Sequence, residues 1–188
     1  LHLSIRRQRQ MCIRDRLQFV DMRVPDENIL GAVNKGFAIA NDRLTRQRIP
    51  YAAGCIGVAI KAQEMALEYV PQRETFGAPL SSRQAIQWML VDNEIDIKQS
   101  LWITVEAAAK AERGENFRKE AAMAKLVATE AGGRVVDRCM QMFGGLGVAK
   151  GLPFERWFRE MRIRRIGEGP SEVQRHVIAR EILGASFR

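Results

Sequence analysis

Arg118-Lys119-Glu120-Ala121-Ala122-Met123-Ala124-Lys125-Leu126-Val127 opens the stretch that decides the fold, which runs on to Phe143 before Gly144, Gly145 and Gly147 stop it. Leu126, Val127, Val135, Val136, Met140 and Phe143 recur at helical spacing, with small residues between them that permit close approach of a neighbour. On its N-terminal side a second helix is predicted from Ser82 to Arg113. Its stripe is Ile86, Met89, Leu90, Ile97, Leu101, Trp102, Val105 and Ala108, and Gly114 is its stop. Before that, Phe37, Ala40, Leu44, Ile56, Ile60, Met65 and Leu67 predict a helix from about Gly36 to Gln72, kinked or loosened at Pro50. Pro71 and Gly77-Ala78-Pro79 end it. On the C-terminal side come a short basic segment, Phe154 to Met161, and a helix from Glu172 carrying Val173, Val177, Ile178 and Ile182. Ser171 and Gln174 read as its capping box. Long antiparallel helices with short joins give an all-α fold: an up-down four-helix bundle with additional short C-terminal helices.

The 188 residues suffice for one domain with a good core. The net charge is +8, and residues 1–16 supply half of it, with five arginines against one aspartate. That arm has no aromatic residue to stack on a base, no amphipathic period and no apolar core of a signal peptide. It reads as a non-native or disordered basic segment. Cys12, Cys55 and Cys139 are odd in number and widely spaced, and two histidines complete no zinc set, so no metal site is expected. A reducing compartment follows, cytoplasmic or the mitochondrial matrix of a eukaryote. No apolar run reaches membrane-spanning length.

Chemistry-bearing residues gather in Val24–Gly31, Arg73–Leu80, Lys119–Lys125, Gln141–Gly147 and Ile166–Arg175. In the last of these Glu168 stands between Gly167 and Gly169, so its carboxylate is the bulky group of a turn that can approach a ligand closely. Taken locally, the same pattern suits a solvated turn. In order and spacing, these blocks resemble the C-terminal helical domain of the acyl-CoA dehydrogenase family, from about Leu17 to Ser186. The resemblance implies a division into 1–16, a remnant of a middle β-domain and linker over 17–31 with a strand near Gln18 to Arg23, and the helical domain over 32–188. It also implies that the chain is a fragment or the product of a partial gene, inactive alone.

The activity implied is FAD-dependent α,β-dehydrogenation of an acyl-CoA thioester. Glu168 matches the family's catalytic glutamate, which takes the α-proton while hydride passes to the flavin. Some branches place the base immediately before the arginine that Arg48 matches, and Gln47 there cannot serve. Arg48 is implied near the CoA end of the acyl pocket, and Gly169 beside the thioester. Arg73, Thr75 and Phe76 match residues whose Arg and Thr reach the flavin diphosphate of a neighbouring subunit, a task suited to a guanidinium. Arg83 and Gln84 stand where the family has a flavin-contacting pair, and Gln141, Gly144 and Gly145 where it packs on the adenosine. Pro170, Ser171 and Glu172 match flavin-flanking positions, although Pro170 brings neither hydroxyl nor N–H. Arg156, Arg159, Arg162, Arg164 and Arg165 read as a solvated, salt-bridged face. The implied partners are acyl-CoA, an electron-transfer flavoprotein as acceptor, and further copies of the chain as a dimer of dimers, with no nucleic acid. Two other readings stay open on the residues: an acyl-CoA oxidase, or a non-catalytic helical module for oligomerisation or nucleic-acid binding.

Overall fold

The computed structural model describes residues 18–186, and the chain divides into two compact units, one up to Phe37 and one from Ala38 onward. The basic segment 1–16 lies outside the described residues. In the first unit a 3₁₀ turn, Asp26–Asn28, is closed by Ile29 N–H donating to Asp26 O at 3.1 Å. The strand expected near Gln18 to Arg23 does not form. A strand takes its backbone hydrogen bonds from a neighbour, and these residues have none in a ladder. Asp21, at φ 48°, also breaks the extended run with a left-handed conformation.

The elements are α1 (Gly36–Tyr69), β1 (Glu74–Thr75), β2 (Ala78–Pro79), α2 (Gln84–Glu112), α3 (Arg118–Phe143), α4 (Gly145–Val148), α5 (Phe154–Arg164) and α6 (Ser171–Leu183). The all-α expectation holds, the one small sheet among the described residues being the antiparallel pair β1–β2, with Glu74 opposite Pro79 and Thr75 opposite Ala78. Pro50 lacks the N–H that would reach the fourth residue back, yet α1 is one uninterrupted helix through it. The second helix starts at Gln84 instead of Ser82, because Leu80–Ser82 form a separate 3₁₀ turn and Arg83 is extended. The basic segment after Pro153 is longer than predicted, a helix to Arg164.

α3 is the centre, and α2, α5 and α6 all pack on it. Its small residues make this possible: Ala121, Ala124, Ala128, Ala131 and Gly132 are buried along one stripe. At Gly132 a Cβ would stand 3.5 Å from Cys55 O of α1 and 3.0 Å from Met161 Sδ of α5. An aromatic column joins the same three helices. Tyr69 stacks on Phe143 at 4.1 Å, Phe143 tilts on Phe154 at 4.7 Å, and Phe154 meets Trp157 edge-on at 5.7 Å.

The α2 stripe differs from expectation. Ile97 is buried and Ile86, Met89 and Leu90 pack against the core, but Trp102 and Val105 are exposed, at 67% and 45%. The buried seam is instead Asn93, Asp96, Ser100, Thr104 and Ala107. The reason is a hydrogen-bond network. Asp96 accepts from Arg134 Nε (3.1 Å) and Nη2 (2.5 Å) and from Arg138 Nη1 (2.8 Å). Asn93 Nδ2 donates to Gln63 Oε1 at 2.9 Å, and Gln63 Nε2 to Leu90 O at 3.0 Å. Satisfied polar groups can be buried, and here they displace the apolar stripe to the outer face.

Candidate functional site

Residues Arg165 to Pro170 make the turn between α5 and α6, and both glycines in it are required by their surroundings. A Cβ at Gly167 would lie 2.7 Å from the Tyr51 hydroxyl, and one at Gly169, where φ is +90°, would lie 2.7 Å from Gln174 Nε2. Between them Glu168 adopts φ 56°, left-handed for a residue with a side chain. Such a conformation costs of order 1–3 kcal/mol and persists only where its surroundings over-determine it. They do so here. Gln174 Nε2 donates to Glu168 O (3.0 Å) and Gly169 O (2.9 Å). Lys125 Nζ, from α3, donates to Arg165 O (3.1 Å) and Gly169 O (2.8 Å). Ser171 N–H closes the turn on Arg165 O at 3.2 Å.

The capping box expected from Ser171 and Gln174 is therefore not formed. Ser171 is already helical, with Pro170 at the cap and no side-chain cap bond. Its hydroxyl donates to Glu130 Oε1 at 2.6 Å, and Glu130 also holds Arg165 at 3.2 Å. Gln174 grips the turn rather than the helix end. Both side chains serve to fix the loop to α3 and α6.

Glu168 Oε2 is buried and has no hydrogen-bond partner among the described residues. Three groups feel its charge. Burial, then Arg118, pulls the Arg48 pKa below its ordinary value, and Glu168 opposes them. Burial pushes the Tyr51 phenol up, with Glu168 adding to it. Burial, aided by Arg48, brings Lys125 down to about 8 against Cys55, Glu130 and Glu168. Arg48 is buried with Nε and Nη1 unpartnered, whereas its neighbour Gln47 is exposed. An unpaired carboxylate in a rigid turn beside cationic groups can accept a proton from a ligand placed against it.

A second region collects other expected residues. A cavity of ≈ 410 Å³ is lined by Tyr69, Arg73, Thr75, Leu80, Met142, Phe143, Gly144, Gly145 and Leu146, so two blocks far apart in sequence meet. A Cβ at Gly144 or Gly145 would meet nothing within 4 Å, which leaves open backbone in a cavity that Arg73 also lines. Around this cavity Arg83 turns inward, its Nη2 donating to Thr75 O (2.6 Å) and Phe76 O (3.3 Å). Phe76 is fully exposed; Gln84 and Gln141 are exposed too. The lining does not include Arg48, Glu168, Gly169, Pro170, Ser171 or Glu172. A further cavity, ≈ 370 Å³, is lined by Ala38, Asn41, Asp42, Thr45, Glu115, Asn116, Phe117 and Arg118.

Arg156 and Arg159 of α5 form the expected salt-bridged face, whereas Arg164 and Arg165 turn inward, half-buried, toward Tyr51 and Glu130. Arg159 pairs with Glu155, Arg156 with Glu160 at 3.9 Å, and Arg164 lies over the Tyr51 ring at 4.7 Å. Sequence reasoning missed Glu130 and Tyr51, and gave Lys125, the last residue of the Lys119–Lys125 block, no role. The signal for Lys125 was present as a lone charge in the apolar run from Ala121 to Ala128.

Comparison with known proteins follows this geometry closely. The family model described as "Acyl-CoA dehydrogenase, C-terminal domain" matches residues 34–183. The mitochondrial short-chain specific acyl-CoA dehydrogenase of Bos taurus is 41% identical over 167 residues, 89% of this chain and 40% of that protein. Butyryl-CoA dehydrogenase from Megasphaera elsdenii is 39% identical, with a TM-score of 0.84 over 88% of this chain and 43% of that one. A chain in the structure named for the electron transferring flavoprotein of Acidaminococcus fermentans is 37% identical, with a TM-score of 0.85 over 88% and 44%. The chain thus spans about two fifths of the length of the curated relatives it matches.

Proposed function

The chain belongs to the acyl-CoA dehydrogenase family, through that family's C-terminal domain, and on this premise we propose that it serves the FAD-dependent α,β-dehydrogenation of an acyl-CoA thioester, with Glu168 as the base. One observation carries the reading: Glu168 Oε2 is buried without a partner, on a strained turn held by Lys125 and Gln174. A carboxylate oxygen so held, with no hydrogen-bond donor upon it, is available to take an α-proton. Gln47, exposed and an amide, offers no rival base.

Arg73, Thr75, Gly144 and Gly145 fit a flavin diphosphate and its adenosine end, since an arginine and open glycine backbone line the same cavity. Phe76, Gln84 and Gln141, exposed and outside the cavity lining, are proposed to meet the cofactor from the surface, and Arg83 contributes by holding the Thr75–Phe76 turn. When bound, the flavin supplies the acceptor for the β-hydrogen as hydride. Pro170, Ser171 and Glu172 flank the base, but the Ser171 hydroxyl is engaged by Glu130, so its contact to a cofactor is as an acceptor. Arg48 and Arg118, mutually repelling, make a positive end that suits the anionic part of CoA. Domain limits of 17–31 for a linker and 32–188 for the helical body accord with this assignment.

An electron-transfer flavoprotein is the proposed electron acceptor. A second copy is the proposed occupant of the outer face of α2, where Trp88, Val91, Ile95, Trp102 and Val105 follow a heptad spacing and are exposed. α3 spends its apolar residues inside the chain. No helix among the described residues is long and apolar enough to cross a membrane, and free, buried Cys55 and Cys139 accord with a reducing compartment, cytoplasmic or the mitochondrial matrix.

The test uses residues 34–188 fused to the preceding portion of the bovine short-chain relative. Acyl-CoA should bleach its flavin, and Glu168→Gln should slow the bleaching by at least ~10²–10⁴-fold with flavin retained. Near-normal bleaching in that variant would refute the assignment.

A further inference from the structure

Lys125 stands in the middle of α3, 0% exposed, with alanine at 121, 122, 124 and 128. Burying an ammonium costs several kcal/mol unless its protons are met by acceptors. Two are met, by Arg165 O and Gly169 O. These carbonyls stand on either side of Glu168, three residues before it and one after. A helix–helix contact needs no such group, and methionine would fill the space without the desolvation. The carbonyls it holds belong to the turn with a left-handed glutamate, and that turn is gripped from α6 as well, by Gln174 on the Glu168 and Gly169 carbonyls. Two helices thus clamp the backbone on both sides of one unpartnered carboxylate.

We propose that Lys125 is a positioning residue for Glu168: by fixing the Arg165 and Gly169 carbonyls to α3 it sets the direction in which the carboxylate points. The inference rests on the reading of Glu168 as the base. The charged and titratable groups facing Lys125 are Cys55 and Arg48 from α1, Glu130 on α3 itself and Glu168 from the turn; Gln174, from α6, is neutral. Burial, with Arg48, outweighs the acidic groups and lowers Lys125 to about 8. Raising the pH through that value removes the ammonium charge and one of its three donors, which weakens the charge-assisted hold on the Arg165 and Gly169 carbonyls. An alkaline limb in the activity that belongs to Lys125 is therefore expected.

The test compares Lys125→Met and Glu168→Gln in the fusion enzyme by kcat, KM, flavin content and pH profile. Misplacing a reacting group by about 1 Å costs on the order of 10²-fold. Lys125→Met is expected to lower kcat by about that factor, with KM and flavin content changed by less than about twofold. The limb near pH 8 should disappear with the lysine. If Lys125→Met does not fold, Lys125→Leu, likewise without a donor, is read the same way, and failing both, the unmodified enzyme must show the limb. Loss of turnover in Glu168→Gln with normal kcat in Lys125→Met overturns the positioning role and leaves the base intact. Normal turnover in Glu168→Gln overturns the base itself. A Lys125 variant that raises KM or sheds flavin while keeping kcat, or a wild-type profile flat through pH 8, also overturns the proposal.

Discussion

Asp96→Asn keeps the shape of a buried side chain and removes the charge that Arg134 and Arg138 share. Three guanidinium N–H groups donate to that carboxylate, at 2.5, 2.8 and 3.1 Å. An amide in its place would turn either a weaker acceptor or a donor toward them. Hydrogen bonds to charged groups contribute about 1.5–3 kcal/mol each. Their sum overstates the loss, because the Arg134 side chain is 45% exposed and water replaces part of its bonding. A net destabilisation of about 2–4 kcal/mol is expected, which for a chain of this size lowers Tm by about 5–12 °C. Its pH dependence has a definite sign. Burial pushes the Asp96 carboxyl up, but the hydrogen bonds and charges of Arg134 and Arg138 outweigh burial and hold it below the ordinary carboxylate range. A lowered folded pKa contributes stability that is fully present above the unfolded value, about 4, and lost as pH falls through the folded one. Urea unfolding followed by circular dichroism should therefore show a constant gap between wild type and variant from about pH 5 to 8, closing below about pH 4. A gap under about 1 kcal/mol at neutral pH, or one undiminished in acid, would refute this account of the α2–α3 seam.

Gly132→Val should destabilise the fold by about 1–3 kcal/mol in the same assay, since its side chain meets Met161 Sδ and the Cys55 carbonyl at the α1–α3–α5 crossing. Burial raises the Cys55 thiol to about 11 and Cys139 to about 12, so neither should be alkylated by iodoacetamide at pH 8 until denaturant is added, as read by peptide mass mapping. Trp102→Glu should leave helicity unchanged and shift light-scattering mass toward a smaller species, because its exposed ring lies on the face assigned to a second copy.

The helices were legible because their breakers are strong. Gly114, the Gly144–Gly147 cluster and Pro71 bracket α1 to α3 to within a few residues. The outward face of α2 was not legible, since a rule that buries tryptophan and valine cannot know that Arg134 and Arg138, some forty residues on, will satisfy Asp96. The convergence of Arg73 and Thr75 with Gly144 and Gly145 at one cavity was implied by resemblance and by no local pattern. Ser171 and Gln174 were read as a local cap, yet their partners are Glu130 and the turn itself. Local spacing shows which residues can bond; it does not show the competing partner that tertiary packing brings nearer.

Abstraction of the α-proton is the central claim, and deuterium exchange isolates it from hydride transfer. Acyl-CoA is incubated in D₂O with the fusion enzyme, and the α-proton signal is followed by NMR for wild type and Glu168→Gln at matched flavin content. The account predicts exchange by the wild type and a loss of at least ~10²-fold in the variant. Exchange at the wild-type rate in Glu168→Gln would contradict it.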